Sequence, residues 1–312
     1  MECARSVMFL FLSQVLLLAL LNITSTNALP PAWDFPAIYN FGDWNLDTGG
    51  ISASFEPIQA PYGESFFRGL AGRFSDGRLL IDFIGNITSN DIIVITHTEI
   101  YKSGVCSRLI DCGLPYLTDL TLCLREEQTA ETSRISKSLH TIDIGQTDII
   151  AGFHQMSNIQ LRTAIPDIIN QFSAAVTRLY QLGVRAFWIH NTGPIGCLPT
   201  ATFDLRNPKP GVLDKYGCLK SHNEVALEFN RQLKSRIRTL RADLGHAAIT
   251  YVDVYAAKYE LISNAKSEGY ISWVGVHYSQ AANHWVASHI LNGSYSDPHI
   301  PITHACHKRL HY

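Results

Sequence analysis

The sequence contains little charge, and neither sign is in excess. Charged residues make up 17% of its 312 residues, and the formal net charge is −2. A protein that binds nucleic acid or an anionic membrane surface needs a basic excess or a basic patch. The composition therefore predicts neither kind of partner, and a hydrophobic share of 46% is typical of a globular protein.

Motifs that would hold a metal ion or a nucleotide are also missing. The sequence has no HExxH pattern, no EF-hand loop, no cysteine–histidine metal spacing and no glycine-rich phosphate loop. It has no internal repeat and no low-complexity tract. We therefore predict no metal and no cofactor, so any chemistry would rest on amino-acid side chains.

The first 28 residues are typical of a secretory signal peptide. Residues 7–21 are almost entirely apolar, and Thr26-Asn27-Ala28 offers a small-residue cleavage site. A membrane anchor is the alternative, since Arg5 is the only basic residue before the run, but the run is short for a span. We expect a secreted, extracellular protein with one domain over residues 29–312 and no integral membrane segment in the mature chain.

Seven cysteines are present, and six remain when Cys3 in the leader is set aside. Outside the cell an even number favours disulfides. Cys197 and Cys218 bracket a loop rich in proline and glycine and are the preferred pair, whose bond would contribute about 3 kcal/mol to stability. The sequence leaves open the partners of Cys106, Cys112, Cys123 and Cys306.

Two sequons predict N-linked glycans in a secreted protein. They are Asn86-Ile-Thr and Asn292-Gly-Ser. Asn292 follows a predicted helix and precedes a glycine, so we expect it to be the more exposed of the two acceptors.

Short apolar segments alternate with amphipathic segments along the chain. The first kind is β-prone, and in the second kind apolar residues recur at helical spacing. Strands that alternate with helices are joined by crossovers and lie parallel, so the pattern predicts an α/β protein with three α/β/α layers and a mostly parallel sheet. The predicted strands are residues 37–41, 139–144, 185–190 and 248–254, and the predicted helices are residues 161–182, 216–244, 255–265 and 281–291.

The first predicted strand runs into a tight turn. Gly42 breaks the apolar run, and Asp43 and the polar residues after it favour turns and helix starts. Turns at the carboxyl ends of strands are where α/β proteins place reactive side chains. Trp44 occupies the exposed position of this turn, and an indole cannot attack an ester.

Residues 40–50, Asn-Phe-Gly-Asp-Trp-Asn-Leu-Asp-Thr-Gly-Gly, resemble the first signature block of the plant GDSL esterase/lipase family, which are secreted relatives of the SGNH hydrolases. Residues 61–63, 72–78 and 191–199 resemble further landmarks of that family. The resemblance implies a flavodoxin-like sheet and hydrolysis of carboxylic esters through an acyl-enzyme on serine. It also implies a small acyl-ester, lipid or carbohydrate ligand.

The residues that match the family's catalytic positions are largely substituted. Trp44 stands where the family has its nucleophilic serine, and Val274 stands where it has the aspartate that orients the histidine. His277, the general base, is retained. Thr147 replaces an asparagine that donates a hydrogen bond to the oxyanion, and a threonine hydroxyl reaches less far.

Residues 85–134 depart from the family altogether. Residues 85–112 have no counterpart in its pattern, and the stretch beyond Leu120 is shorter than in relatives. The second family block, whose glycine donates a backbone N–H to the oxyanion hole, is absent together with a sheet strand. We expect a disrupted sheet edge, and the β-prone residues 91–96 suggest a replacement edge strand.

Several other polar residues could belong to a site. We interpret His190 at a strand end as a structural, hydrogen-bonded histidine, and Asp148 either as a turn cap or as a functional carboxylate. Arg73, Asp76 and Arg78 could form a functional cluster, although charges that fix a loop are the preferred interpretation.

The substitutions together predict impaired esterase activity. Loss of the nucleophile alone removes about six orders of magnitude in turnover from a comparable serine hydrolase. Thr48, Ser52 or Ser54 could replace it only with near-perfect geometry, since an error of about 1 Å can cost a hundredfold. Two alternatives stay open: a secreted relative that binds a ligand without catalysis, and a decayed or misassembled coding sequence whose product folds poorly.

Overall fold

A computed structural model describes residues 35–43, 45–49, 52, 58–88, 92–96, 132–203, 205–264 and 271–305. The chain divides into two compact units, Met1–Trp33 and Asp34–Tyr312, and the described residues all lie in the second. Several predictions fall on residues outside this description: the signal peptide, the conformation of Trp44, most of the segment 85–134, and the four cysteines whose partners were left open.

Six strands form the main sheet in the order β2-β1-β3-β4-β5-β8. The first five are parallel and β8 is antiparallel to β5. The order 2-1-3-4-5 is that of flavodoxin-like proteins, and this confirms the predicted fold class. The strands are β1 (Ile38–Gly42), β2 (Ile92–Thr96), β3 (Leu139–Asp143), β4 (Ala186–His190), β5 (Ala248–Val252) and β8 (Ser296–Asp297), and a separate hairpin contains β6 (Ser272–Val274) and β7 (His277–Tyr278).

The central strands are buried along their whole length, which explains their continuous apolar sequences. Every residue of β4 and of β5 is buried, as expected when helices cover both faces of a parallel sheet. At the edge, β2 pairs with β1 from Ile38↔Ile92 to Gly42↔Thr96. The suggestion that residues 91–96 form a replacement edge strand is thereby confirmed.

The helices pack into two groups. In one group α4, α5 and α7 contact one another, and in the other α9 contacts both α8 and α2. This arrangement gives the predicted three layers. The helices are α1 (Glu64–Phe67), α2 (Leu80–Thr88), α3 (Thr132–Lys137), α4 (Gln146–Gln155), α5 (Asn158–Gln181), α6 (Pro199–Thr202), α7 (Lys220–Asp243), α8 (Val254–Ser263) and α9 (Gln280–Ile290).

Two helix predictions need correction. Helix α5 begins three residues earlier than the apolar spacing predicted, because Ser157 and Gln160 form a capping box at its start. Helix α7 begins four residues later than predicted, since residues 216–219 belong to a closed loop. Leu227, which was expected on the buried side of α7, is 48% exposed.

Within the described part of the chain, no helix has both the length and the apolar character that crossing a membrane requires.

Candidate functional site

Strands β1 and β3 lie side by side at the centre of the sheet, while β2 follows β1 in sequence but lies on its other side. The chain therefore leaves these two strands in opposite directions, which opens a crevice at their carboxyl ends. Asp43 follows β1, and Thr147 lies in the first turn of α4 after β3. The sequence predictions for Asp43's turn and for Thr147 thus converge on one end of the sheet.

Asp43 and Thr147 are in direct contact. The Thr147 hydroxyl donates a hydrogen bond to Asp43 Oδ2 over 2.9 Å. The other carboxylate oxygen, Oδ1, accepts hydrogen bonds from the Asn45 backbone N–H at 2.9 Å and from its side-chain amide at 3.0 Å. These contacts fold the turn after β1 onto the start of α4. Trp44 itself is outside the described residues.

Further charged groups lie below this turn. Asp143 at the end of β3 and Lys258 in α8 interact electrostatically with Asp43. Burial, followed by the Asp143 charge, raises the pKa of Asp43. Burial lowers the pKa of Lys258, whereas Asp143 and Asp43 oppose that effect. Two carboxylates and one ammonium group are therefore brought together in a poorly solvated place.

Lys258 and Asp143 were missed in the sequence analysis. Lys258 is only 5% exposed, and it lies on the buried stripe of α8 with Val254, Ala257 and Leu261. A lysine at a position where helical spacing demands an apolar residue was the available signal. Its ammonium group lies 4.5 Å from the centroid of the Tyr278 ring, so it links the turn after β1 to the hairpin that carries His277.

His190 at the end of β4 is completely buried, as a structural histidine would be. Its Nδ1 lies 3.5 Å from Asp143 Oδ2. Neither ring nitrogen has a hydrogen-bond partner among the described residues, so the expected hydrogen bonds are wrong. The buried ring therefore interacts with Asp143 by charge and packing.

Asp148 lies one residue after Thr147 in the first turn of α4. Burial, and secondarily the charge of Asp43, raise its pKa to about 6. An aspartic acid with such a pKa exchanges a proton near neutral pH, which is the range that acid–base chemistry uses. The same shift arises in a structural carboxylate that is poorly hydrated, so both sequence interpretations of Asp148 remain predictions.

His277 begins β7 and is opposite Val274 in the hairpin register. Burial lowers the pKa of the His277 imidazole to about 4, so the ring is neutral at physiological pH. The ring of Phe74 stacks on it at a centroid distance of 5.0 Å. The side chain of Val274 is outside the described residues.

A cavity of about 150 Å³ lies beside His277. Its wall is mainly apolar, with Leu198, Pro199 and Ile271 among the contributing residues. Asp43 and Thr147 are not among the lining residues. Of the predicted site residues, Thr147 therefore belongs to the crevice at β1 and β3, and His277 belongs to the adjacent apolar cavity.

The loop of residues 72–78 is anchored by the charges noted in its sequence. Arg73 makes a two-pronged ion pair with Asp82, at 2.9 and 2.7 Å. Asp76 accepts a hydrogen bond from the backbone N–H of Gln280 at 2.6 Å, and the backbone N–H of Arg78 donates to the Gln280 side chain at 2.9 Å. The preferred interpretation, charges that fix a loop, is confirmed.

A disulfide joins Cys197 and Cys218, the pair preferred from the sequence, with an S–S distance of 2.11 Å. Asn292, one of the two glycan acceptors, is exposed. Asn86, the other, lies in α2, and its side chain is outside the described residues. In the parts of the chain that the structure covers, no group of three or more histidine, cysteine or acidic side chains is placed to hold a metal ion.

Comparison with known proteins identifies one family. The model of the family described as GDSL-like lipase/acylhydrolase matches residues 38–290. A GDSL esterase/lipase of Arabidopsis thaliana is 40% identical over 370 residues, which cover 94% of this chain and 95% of the relative. A protein named esterase from Hevea brasiliensis is 34% identical and is matched over 88% of this chain and 90% of its own length.

Both alignments are longer than the 312-residue chain, so the relatives carry residues that this chain lacks. Among solved structures, a phospholipase A1 from Streptomyces albidoflavus is similar with a TM-score of 0.45 and 12% identity, over 83% of this chain and 99% of the other.

Proposed function

Since the chain belongs to the GDSL-like lipase/acylhydrolase family, we propose that it is a secreted member whose ester hydrolysis is impaired and whose site still binds an acyl-ester ligand. The ligand class is a small acyl ester, a lipid or an acylated carbohydrate. Secretion rests on the leader of residues 1–28, and glycosylation rests on Asn86 and on the exposed Asn292.

The contact between Thr147 and Asp43 carries this proposal. A hydroxyl has one hydrogen to donate, and the Thr147 hydrogen is directed to Asp43 Oδ2 at 2.9 Å. An oxyanion needs donors aimed at the place where its charge develops. In this arrangement Thr147 stabilises the crevice and does not offer its hydrogen to a substrate.

The nucleophile and acid positions support the same proposal. Trp44 follows Asp43 and has no group that can form an acyl-enzyme. Val274 has no carboxylate to stabilise the imidazolium that His277 becomes when it accepts a proton. Burial already disfavours that imidazolium, because it lowers the pKa of His277 to about 4. We therefore expect hydrolysis at least about a millionfold below that of an intact relative.

The cavity beside His277 favours ligand binding without catalysis as the second candidate. Its volume of about 150 Å³ and its mainly apolar wall suit a short acyl group. The third alternative, a coding sequence whose product folds poorly, is disfavoured by the continuous sheet and by the fully buried side chains of Phe35, Phe172 and Trp188. Thermal unfolding of the purified protein tests it directly, since a cooperative transition is expected.

A fluorophosphonate probe tests the impairment. Such probes react with an activated serine hydroxyl, which displaces fluoride from phosphorus and becomes covalently phosphonylated. We expect no labelling of the natural protein and labelling of the Trp44→Ser variant. Labelling of the natural protein at Thr48, Ser52 or Ser54, located by mass spectrometry and lost in His277→Ala, would contradict the proposal and identify a substitute nucleophile.

A further inference from the structure

The chain between Cys197 and Cys218, residues 198–217, is closed by their disulfide and is called the disulfide loop below. Its described part exposes an unusual amount of apolar surface. Phe203 is 85% exposed, Leu205 37% and Tyr216 38%. Large apolar side chains that gather on an exposed segment commonly mark a binding surface.

The disulfide loop also concentrates positive charge. Arg206, Lys209 and Lys215 are exposed on it, and Lys220 follows directly after it and is exposed as well. The carboxylate of Asp214 is occupied within the loop. Because the whole chain has a net charge of −2, this excess is a local property and not one of the composition.

The carboxylate of Asp214 fixes the loop's conformation. It accepts hydrogen bonds from the backbone N–H groups of Tyr216 and Cys218 at 2.8 and 2.9 Å. It also accepts one from the hydroxyl of Tyr259 in α8 at 2.8 Å. The loop is therefore tied to the domain at its second end, and it needs little ordering to present its apolar and basic side chains.

The first end of the loop forms part of the His277 cavity. Leu198 and Pro199 line that cavity. The backbone N–H of Thr200 donates to the carbonyl of Gly275, in the turn between β6 and β7, at 3.4 Å. A surface that engages the loop would thus be brought next to the cavity.

We propose that the disulfide loop docks the protein on an anionic lipid surface. Phe203 and Leu205 enter the headgroup region, while Arg206, Lys209 and Lys215 contact the lipid phosphates. Apolar burial combined with electrostatic attraction is the physical basis of such interfacial binding. The prediction from composition, that no anionic membrane surface is a partner, is replaced for this local patch. Docking does not depend on whether the neighbouring site hydrolyses esters.

The test is co-sedimentation of the full chain with vesicles of phosphatidylcholine alone and of phosphatidylcholine mixed with phosphatidylglycerol. We expect binding to the mixed vesicles and little to the neutral ones. Lys209→Glu/Lys215→Glu should lower the partition coefficient by roughly thirtyfold or more, because each basic residue near an anionic surface contributes about fivefold. Phe203→Ser should lower it by roughly tenfold.

Two controls match these variants. Ile159→Ser removes an apolar side chain that is 79% exposed on α5, and it should leave binding unchanged. Lys137→Glu/Arg238→Glu alters two exposed basic residues outside the loop by the same total charge, and its effect should be much smaller.

Several results would overturn the proposal: no preference for the anionic vesicles, an equal loss of binding in the matched controls, or undiminished binding by Phe203→Ser. Tight binding to the soluble polyanion polygalacturonate, insensitive to Phe203→Ser, would assign the patch to a polysaccharide instead of a lipid.

Discussion

The hydroxyl of Thr147 donates a hydrogen bond to the Asp43 carboxylate over 2.9 Å, and this contact joins the turns that follow the neighbouring strands β1 and β3. Asp43 is held further by the backbone and side chain of Asn45. The crevice at the centre of the sheet is thus closed by contacts within the protein. Its groups stabilise the fold, and this agrees with the proposed loss of catalysis.

We expect Asp148→Asn to increase stability at pH 7. The Asp148 pKa rises from 3.8 in the unfolded chain to about 6 in the folded protein. A raised pKa gives stability that is present below pH 3.8 and is lost as the pH rises through 6. The difference corresponds to about 3 kcal/mol as an upper limit. Denaturant unfolding at pH 4 and pH 7 measures it, and an equal gain at both pH values would show that ionisation of Asp148 is not the cause.

His277→Gln should have the opposite pH dependence. Burial lowers the His277 pKa from 6.5 to about 4. A lowered pKa in a base gives stability that is present above pH 6.5 and is lost as the pH falls through 4. Relative to the variant, the natural protein should therefore lose up to about 3 kcal/mol between pH 7 and pH 4. The same unfolding series measures this change, and a constant difference between the two proteins across that range would exclude a buried neutral imidazole.

Removal of the disulfide in Cys197→Ala/Cys218→Ala should lower the free energy of unfolding by about 3 kcal/mol, because the bond closes a loop with a sequence separation of 21. Reduction of the natural protein should produce a similar decrease. An unchanged denaturation midpoint would mean that other contacts already hold the loop ends together, for example the hydrogen bond from the Leu219 N–H to the Gly196 carbonyl at 2.7 Å.

The layers of the fold were predictable because burial and periodicity act locally. The sequence 186–190 is buried throughout, and an apolar strand of this kind is recognisable without its neighbours. The start of α7 was not predictable in the same way. Residues 216–219 have helix-compatible side chains, but the disulfide and the Asp214 carboxylate hold Cys218 in the loop.

The candidate site was predictable only where it follows a motif. Thr147 and His277 could be named because family landmarks surround them. The cluster of Asp143, Lys258 and Asp43 joins residues that are far apart in the chain, and only the parallel order of β1 and β3 with α8 brings them together. Leu227 shows the reverse error, since its helical spacing fits the core but its side chain is 48% exposed.

Hydrolysis of a short-chain chromogenic ester by the folded natural protein, by Trp44→Ser and by Trp44→Ser/Val274→Asp tests the impairment most directly. We predict no turnover above background for the natural protein and a measurable gain in the double variant, because it regains a nucleophile and a carboxylate beside His277. Activity of the natural protein that is clearly above background and abolished by His277→Ala would contradict the account.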